Sequence, residues 1–494
     1  MTFAFVWYVA WWALHGISFS LVCLHCLQTR REATSAILWI FVSWSFPIIG
    51  PILYLTLGID RLPHKGFHKR THDARLLEAR KTHEEALPLA YWQTVHTEAI
   101  YGTPATELDK ELSRVMDAVA PDYPFLNGNA IVSHVTGDEL FPRMLKAIEQ
   151  ASHHIHLQTF IIQDDTIGRA FMDALASRAE AGVKVRVLYD RFGSTQAILR
   201  GLFRRYRRIK NMDIVGWTQV NPLKRRFQLN LCNHRKALIV DGRRAFVGGI
   251  NLHRDNTTRS QKPPIRDYHF ELTGPVVQEV QYAFMKDWYY MTDESPKILL
   301  QDVYFPSITP KGDCLARILC SGPTSESETI TDVFFMAIVR ARKQVLIVTP
   351  YFVPPTDILR ALRSAAVRGV DVRIIVPAKN NHLYAGWASH ALFDELIQSG
   401  VQVFERTAPF LHAKAMIVDD RISIVGTANW DVRSLRLNYE TNIAIHNEAF
   451  ANTLKRIVLD DEAQSNKVDL TTWRKRPKWH RLAENACSLM TPIL

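Results

Sequence analysis

Residues 233–241 read Asn-His-Arg-Lys-Ala-Leu-Ile-Val-Asp, and the stretch Gly-Gly-Ile-Asn follows at 248–251. A second copy of this pattern reads His-Ala-Lys-Ala-Met-Ile-Val-Asp at 412–419, with Gly-Thr-Ala-Asn at 426–429. In both copies six residues separate the aspartate from the first glycine. One His-x-Lys has no diagnostic value, but identical spacing over this length indicates an internal duplication. The apolar residues inside each copy predict a buried strand.

The two copies carry side chains that suit the chemistry of a phosphodiester. Residues two apart on a strand point to the same face, so each histidine should share a face with its lysine. If the two halves of the chain face one another, two imidazoles, two ammonium groups and two amides converge on one pocket. The ammonium and amide groups would balance the phosphodiester charge, with the imidazoles on opposite sides of phosphorus. The converging residues are His234, Lys236, Asn251, His412, Lys414 and Asn429.

The sequence around the motifs is duplicated as well. Apolar runs at 154–162 and 183–189 enclose one helical segment, and runs at 344–352 and 370–376 enclose another. Each helical segment ends at a glycine, which is typical of a helix C-terminus. Such strand–helix–strand units predict an α/β fold with two tandem lobes, each a largely parallel β-sheet flanked by helices.

The N-terminal region predicts a membrane anchor. Residues 3–27 and 36–57 are almost entirely apolar and aromatic, and each run is long enough to cross a bilayer. Pro47, Gly50 and Pro51 predict a kink or a re-entrant hairpin in the second run. A pair of buried core helices is the alternative, and the lack of a polar face counts against it. We therefore expect two N-terminal transmembrane helices.

These patterns divide the chain into four segments. Residues 1–60 hold the two transmembrane helices, and the charged stretch 61–122 is expected to form a helical connector. The first lobe is expected to cover residues 123–300. The second lobe, with a C-terminal tail, covers residues 301–494.

The charge of the chain indicates an anionic partner. Among 494 residues, 60 Lys and Arg stand against 49 Asp and Glu, a net charge of +11 that suits nucleic acid or an anionic lipid surface. The apolar N-terminus favours lipid. The arginine-rich segment 199–210 has apolar residues at helical spacing, which predicts a basic amphipathic helix for anionic headgroups, with a solvated helix as the alternative. Cations after the second apolar run favour a cytoplasmic body. They are Arg61, Lys65, Lys69 and Arg70.

The duplicated pattern, H-x-K-x4-D-x6-G-[GST]-x-N, resembles the motif of the phospholipase D superfamily. Segments outside the motifs are similar to bacterial cardiolipin synthases of the membrane-anchored type, and the resemblance covers nearly the whole chain. These segments are Arg-Asp-Tyr-His at 266–269, Thr-Pro-Tyr-Phe-Val-Pro at 349–354 and Asn-Tyr-Glu at 438–440. The resemblance implies two tandem phospholipase D-like lobes and a multi-pass protein of the bacterial inner membrane.

The resemblance also implies roles for the motif residues. His234 is expected to attack phosphorus, and His412 is expected to act as general acid and then as general base. Asp267 and Glu440 occupy matching places after the two motifs, and they are expected to fix the tautomers of the two histidines.

The remaining motif residues are expected either to stabilise negative charge on the phosphoryl oxygens or to support the fold. The groups expected to stabilise the phosphoryl oxygens are Lys236, Lys414, Asn251 and Asn429. Asp241 and Asp419 complete the catalytic motifs but are interpreted as structural, away from the histidine face. Because the two lysines supply the charge that a metal ion would bring, neither a metal nor another cofactor is expected.

The activity implied by the resemblance is that of a cardiolipin synthase, which transfers a phosphatidyl group between two phosphatidylglycerol molecules through a phosphohistidine. A hydrolytic phospholipase D, with water as acceptor and phosphatidic acid as product, is the first alternative. A membrane-bound phosphodiesterase or nuclease is the second, and the apolar N-terminus counts against it. The expected partners are phosphatidylglycerol, other anionic phospholipids and the membrane, without nucleic acid.

Overall fold

The computed structural model describes residues 2–29, 33–58, 62–84, 107–217, 231–260, 263–323 and 328–489. The chain divides into two compact units, Met1–Lys65 and Gly66–Leu494. The first unit holds the apolar N-terminal runs, and the second holds both copies of the duplicated motif.

The first unit begins with one long apolar helix, α1 (Thr2–Gln28). Its segment Phe5–Gln28 is the one stretch, within the described residues, that is long and apolar enough to cross a membrane. The second apolar run is divided into α2 (Ala33–Ser45), α3 (Ile49–Leu53) and a π-helical turn (Tyr54–Gly58). The predicted kink in this run is therefore confirmed, whereas a second membrane-spanning helix is not shown.

The break in the second run has a local cause. Pro47 has no backbone N–H to donate, and Ile48 adopts a left-handed conformation with φ of 65°. Beyond the break, Tyr54 is buried against Val22 and Cys26 of α1. The second run thus turns back against the first helix.

The second unit combines helices with a large sheet. The predicted connector, 61–122, contains α4 (Leu62–Glu84) and α5 (Glu107–Val119). The helices that follow are α6 (Gly137–Glu149), α7 (Thr166–Glu180), α8 (Thr195–Leu199), α9 (Val276–Thr292), α10 (Pro296–Leu299), α11 (Thr329–Arg340), α12 (Thr356–Val367), α13 (Leu383–Gln398), α14 (Val432–Arg436), α15 (Glu448–Ala463), α16 (Leu470–Arg474) and α17 (Lys478–Ser488).

Among the described residues, the strands begin at residue 126. Those within 123–300 are β1 (Leu126–His134), β2 (His154–Thr159), β3 (Lys184–Asp190), β4 (Met212–Trp217), β5 (Ala237–Val240), β6 (Arg244–Gly248) and β7 (His269–Thr273). Those within 301–494 are β8 (Cys314–Ser321), β9 (Gln344–Val348), β10 (Phe352–Val353), β11 (Asp371–Pro377), β12 (Gln402–Arg406), β13 (Ala415–Val418), β14 (Ile422–Gly426), β15 (Trp430–Asp431), β16 (Glu440–His446) and β17 (Ser465–Lys467).

The order of the strands repeats in the two halves, which confirms the duplication. The first half runs β1-β7-β6-β5-β2-β3-β4, and the second runs β8-β16-β14-β13-β9-β11-β12 with β17 at its edge. An antiparallel pairing of β1 with β8 joins them, so the described strands form one sheet of fifteen, and β10 and β15 pair separately. Each half has its own apolar core.

The prediction of largely parallel sheets is wrong. In each half, parallel pairing joins three strands, β2-β3-β4 and β9-β11-β12, while the motif strands lie antiparallel to their neighbours. The cause is the hairpin that follows each motif, because β5 and β13 pair directly with the next strand along the chain. A tight hairpin forces antiparallel pairing, whereas the segments with intervening helices allow parallel pairing.

The predicted basic helix at 199–210 is also wrong. Helix α8 ends at Leu199, Gly201 adopts φ of 76°, and a short 3₁₀ turn covers Leu202–Arg205. Leu202 and Phe203 are buried beneath this turn, but Leu199 is 81% exposed and does not share their face. The arginines of the segment remain exposed. The neighbouring cations Lys224, Arg225 and Arg226 lie outside the described residues.

Candidate active site

The two motifs are each held by a backbone bridge to the opposite half of the chain. The backbone N–H of His234 donates to the carbonyl of Tyr439 at 2.9 Å, and that of Tyr439 donates to the carbonyl of Cys232 at 3.0 Å. In the second motif, the N–H of His412 donates to the carbonyl of Arg266 at 2.7 Å. The segment after each motif therefore docks on the motif of the other half.

As a result of these bridges, the carboxylate of each half contacts the histidine of the other half. Nδ1 of His234 lies 3.0 Å from Oε2 of Glu440, and Nδ1 of His412 lies 2.6 Å from Oδ2 of Asp267. Both carboxylates are fully buried. A carboxylate at Nδ1 holds the hydrogen on that atom and leaves the lone pair on Nε2. The sequence predicted these two carboxylates but left open which histidine each contacts.

The lysines fold back over their own histidines. Nζ of Lys236 donates to the carbonyl oxygen of His234 at 2.6 Å. Nζ of Lys414 donates to the carbonyl oxygen of His412 and lies 3.6 Å from Oδ2 of Asp267. The expectation that each pair lies on a strand is wrong, because β5 and β13 begin only after Lys236 and Lys414. The bridge to the other half occupies the backbone at each histidine instead.

Burial of the motifs lowers the pKa of their lysines and histidines. It lowers the pKa of Lys236 to about 7 and that of Lys414 to about 8. Burial and the nearby Lys414 ammonium lower the pKa of His412 to about 4, and burial also lowers the pKa of His234. A bound phosphodiester anion would favour the charged form of all four groups.

The carboxylates keep their charge despite burial. Burial alone would raise the pKa of Asp267, but Lys414 and His412 outweigh it and the pKa is lowered. Burial acts on Glu440 in the same way, and there the pKa is lowered by His234 and then by Lys236. These pKa directions favour ionised carboxylates beside neutral imidazoles.

The segments after the motif hairpins differ between the halves. A Cβ at Gly249 would overlap the carboxylate of Asp267, so close approach requires glycine there. At the matching place in the other half, the Thr427 hydroxyl donates to Oε2 of Glu440 at 2.6 Å. Asn251 and Asn429 are buried as well, and Oδ1 of Asn251 accepts the N–H of Ile161 at 3.1 Å.

The motif aspartates lie at the far end of their strands from the histidines. Asp241 accepts the backbone N–H groups of 152, 153 and 154, at distances of 2.8 to 2.9 Å. Asp419 accepts the backbone N–H groups of 342, 343 and 344 in the second half. Each thus fixes the start of the neighbouring strand, β2 or β9, as expected of a structural residue.

Sequence reasoning missed a buried polar cluster behind His234. Oδ2 of Asp287 accepts from the side chains of Asn233 at 2.9 Å and Arg235 at 3.1 Å, the two residues that flank the histidine. Nζ of Lys69, on α4, lies 3.2 Å from Oδ1 of Asp287. The interpretation of Lys69 as a cation flanking the membrane run is wrong, because its side chain is 1% exposed. The polar residues beside His234 gave a signal for Asp287, but nothing local indicated Lys69.

A duplicated α/β fold with two facing His-x-Lys motifs and crossed carboxylates defines a phospholipase D-like protein. The family model described as "Cardiolipin synthase, PLD-like domain" matches residues 144–288 and 335–461, and "Phospholipase D-nuclease N-terminal" matches 17–58. The chain belongs to the cardiolipin synthase family of phospholipase D-like proteins.

The similarity to curated relatives extends over nearly the full length. The chain is 33% identical over 470 residues to "Major cardiolipin synthase ClsA" of Bacillus subtilis, covering 94% of this chain and 95% of the relative. It is 34% identical over 484 residues to "Cardiolipin synthase A" of Pseudomonas fluorescens, covering 96% of both. The crystal structure of phosphatidylserine synthase from Haemophilus influenzae Rd KW20 shares the fold, with a TM-score of 0.60 and 16% identity over 78% of this chain and 100% of that chain.

We expect Lys69 to support the site through Asp287. Replacing Lys69 by methionine should lower kcat roughly 10-fold or more with a smaller change in KM, because Asp287 would lose one charge partner and hold Asn233 and Arg235 less firmly. Lys69→Arg should restore most of the activity. Turnover measured in detergent micelles alongside thermal unfolding checks this.

Arg80→Met is the matched control for Lys69→Met. Arg80 lies on the same helix and makes a buried ion pair of 2.7 Å with Glu279, away from the motif residues. The Arg80→Met substitution should lower thermal stability without a comparable loss of kcat. If both variants lose activity in proportion to lost stability, Lys69 only docks α4.

Proposed function

We propose that this protein is a cardiolipin synthase, a phosphatidyltransferase that joins two phosphatidylglycerol molecules and releases glycerol. The observation that carries the proposal is the pair of crossed contacts, His234 with Glu440 and His412 with Asp267. They prepare two imidazoles of the same tautomer for a double displacement at phosphorus. Membership of the cardiolipin synthase family over nearly the whole chain supports a lipid as acceptor.

The first proposed step forms a covalent intermediate. Nε2 of His234 attacks phosphorus, the bond from phosphorus to the headgroup glycerol oxygen breaks, and protonated His412 gives its proton to that oxygen. The imidazole of His234 becomes positively charged as its Nε2 binds phosphorus. The ionised Glu440 at Nδ1 offsets this charge, which favours formation of the phosphatidyl-histidine.

The second proposed step transfers the phosphatidyl group. Neutral His412 takes the proton of the terminal hydroxyl of a second phosphatidylglycerol, and the oxygen attacks phosphorus as the bond to His234 breaks. Cardiolipin leaves, and His412 is protonated again for the next donor. The residues proposed to stabilise the phosphoryl oxygens through both steps are Lys236, Lys414, Asn251 and Asn429.

Analysis of the products tests this proposal against hydrolysis. Full-length protein in mixed micelles is supplied with phosphatidylglycerol labelled separately in its acyl chains and in its headgroup glycerol. We expect cardiolipin and free glycerol in equal amounts, at an unchanged rate when a chelator is added. Phosphatidic acid without cardiolipin would assign the chain to the hydrolytic phospholipases D. Activity that returns only with one stoichiometric divalent ion would overturn the metal-free mechanism.

The long apolar helix α1 and the N-terminal family match indicate a membrane-associated protein. We propose in addition that it is a multi-pass protein of the bacterial inner membrane with a cytoplasmic body. Phosphatidylglycerol and other anionic phospholipids are the proposed partners, and no nucleic acid partner is proposed. The apolar N-terminus and the excess of cations support this arrangement.

A further inference from the structure

In each half, the catalytic histidine lies beside the carboxyl end of a parallel strand. Phe160 follows the carboxyl end of β2, and its ring centroid is 4.8 Å from that of His234. Tyr351 follows the carboxyl end of β9, and its ring centroid is 6.3 Å from that of His412. Because β3 is parallel to β2 and β11 is parallel to β9, the carboxyl ends of β3 and β11 lie on the active-site side of their own half.

In the first half, exposed apolar residues follow the carboxyl end of β3. Phe192 is 74% exposed and Leu199 is 81% exposed. The backbone N–H of Phe192 donates to Oδ1 of Asp190 at 2.9 Å, and Oδ2 of Asp190 accepts the N–H of Asn233 at 2.8 Å. One carboxylate thus connects Phe192 to the residue beside His234.

The second half repeats this feature after the carboxyl end of β11. Leu383, Tyr384 and Trp387 lie exposed at the start of α13, and Leu383 is 73% exposed. The ring of Tyr384 lies 5.6 Å from that of His382, which lies 5.7 Å from that of Tyr351 beside the second catalytic histidine. Exposed apolar side chains therefore flank the site on both halves.

Cations accompany these apolar residues. Arg191 adjoins Phe192, and Lys379 follows the end of β11, both exposed. Arg200 and Arg205 are exposed as well, and both act electrostatically on Asp164, which follows β2. Apolar side chains surrounded by cations complement the hydrocarbon boundary and the charge of an anionic lipid surface.

We propose that Phe192, Leu199, Leu383, Tyr384 and Trp387 form a bilayer-contacting rim that seats the active site on an anionic phospholipid surface. A phosphodiester in the headgroup layer can reach Nε2 of the histidines only if the active site faces the bilayer. Apolar residues at the rim can enter the acyl boundary while the arginines remain at the headgroups. The duplication supplies one part of the rim from each half.

Hydroxyl-radical footprinting of the full chain in nanodiscs tests the contact without requiring activity. The His234→Ala variant is used, so the result is independent of the proposed function. Val367 is the internal reference, because it is 76% exposed and ends α12 near the amino end of β11, opposite to the carboxyl end that carries the rim residues of the same half. Relative to Val367, oxidation of the rim should be at least about threefold lower with phosphatidylglycerol than with phosphatidylcholine alone.

Two footprinting results would overturn the proposal. Equal oxidation of the rim with both lipids, at the level of Val367, would show that the rim is an ordinary exposed surface. Equal and strong protection with both lipids, together with a dimer by light scattering, would show that a second copy of the chain covers the rim.

A kinetic comparison provides the second arm of the test. The double variant Phe192→Ser/Leu383→Ser should lower activity on anionic vesicles about tenfold, and more strongly than activity on monomeric short-chain phosphatidylglycerol. Val367→Ser, a change of similar exposure near the amino end of β11, should behave as the parent protein. Equal losses on vesicles and on monomeric substrate would place the two residues in the reaction itself and contradict the rim proposal.

Discussion

Replacing His234 by alanine should lower cardiolipin formation roughly 10³-fold or more and should abolish the covalent phosphatidyl adduct. Replacing His412 by alanine should cost a similar factor but for a different reason, because the leaving glycerol oxygen loses its proton donor. A phosphatidyl ester of nitrophenol separates the two variants, since nitrophenolate leaves without a proton. With this ester, His412→Ala should release one burst of nitrophenolate and accumulate the adduct, whereas His234→Ala should release none.

Mass spectrometry of the quenched His412→Ala reaction should locate the phosphatidyl group on His234. An adduct on His412 in the His234→Ala variant would reverse the assignment of nucleophile and acid. Substantial turnover in either variant with phosphatidylglycerol would contradict the double displacement. His480, in α17 and outside both motifs, supplies a matched control, and His480→Ala should leave both the burst and the turnover at the parent level.

The parts of the site that the sequence predicted are those encoded by local spacing. The histidine and lysine of a motif, such as His234 and Lys236, are two residues apart. The number of residues between the aspartate and the following glycine, Asp241 and Gly248 in the first copy, is the same in both copies. Such spacing indicates a buried apolar strand and a close backbone approach at glycine without knowledge of distant contacts. The duplication follows from the same information, because each half carries its own copy of the pattern.

Contacts between the halves could not be read from spacing. The bridge that brings Tyr439 to His234 and the pairing of β1 with β8 both join segments far apart in the chain. These pairings form hydrogen bonds with the backbone of the motif and determine which carboxylate contacts which histidine. Lys69 is a further example, since a lysine after an apolar run has the same sequence signature whether it meets lipid or a buried aspartate. In 199–210, helical spacing was present, but Gly201 ended the helix.

Because each carboxylate contacts the histidine of the other half, substituting a carboxylate in one half should impair the reaction step of the histidine in the other half. Glu440→Gln should slow formation of the adduct on His234 roughly 10²-fold with the nitrophenyl ester, because the charge on the attacking imidazole loses its partner. Asp267→Asn should leave that burst nearly intact and slow the steps that need His412. The carboxylate of Asp267 raises the pKa of His412 against the effect of burial. Loss of this carboxylate should lower the pKa of His412 further, so that protonated His412 becomes rarer at neutral pH. The pH above which turnover falls should therefore move to a lower value.

Double variants distinguish crossed pairs from pairs within each half. If Glu440 acts through His234, adding Glu440→Gln to His234→Ala should cost little more than His234→Ala alone, while adding Asp267→Asn should cost more. In the His412→Ala background the two carboxylates should exchange these behaviours. Pairing within each half would give the opposite pattern, with Asp267 coupled to His234 and Glu440 coupled to His412. Measured residual rates for all four double variants therefore decide whether the two halves act as one catalytic unit, in which neither motif is complete without the carboxylate of the other.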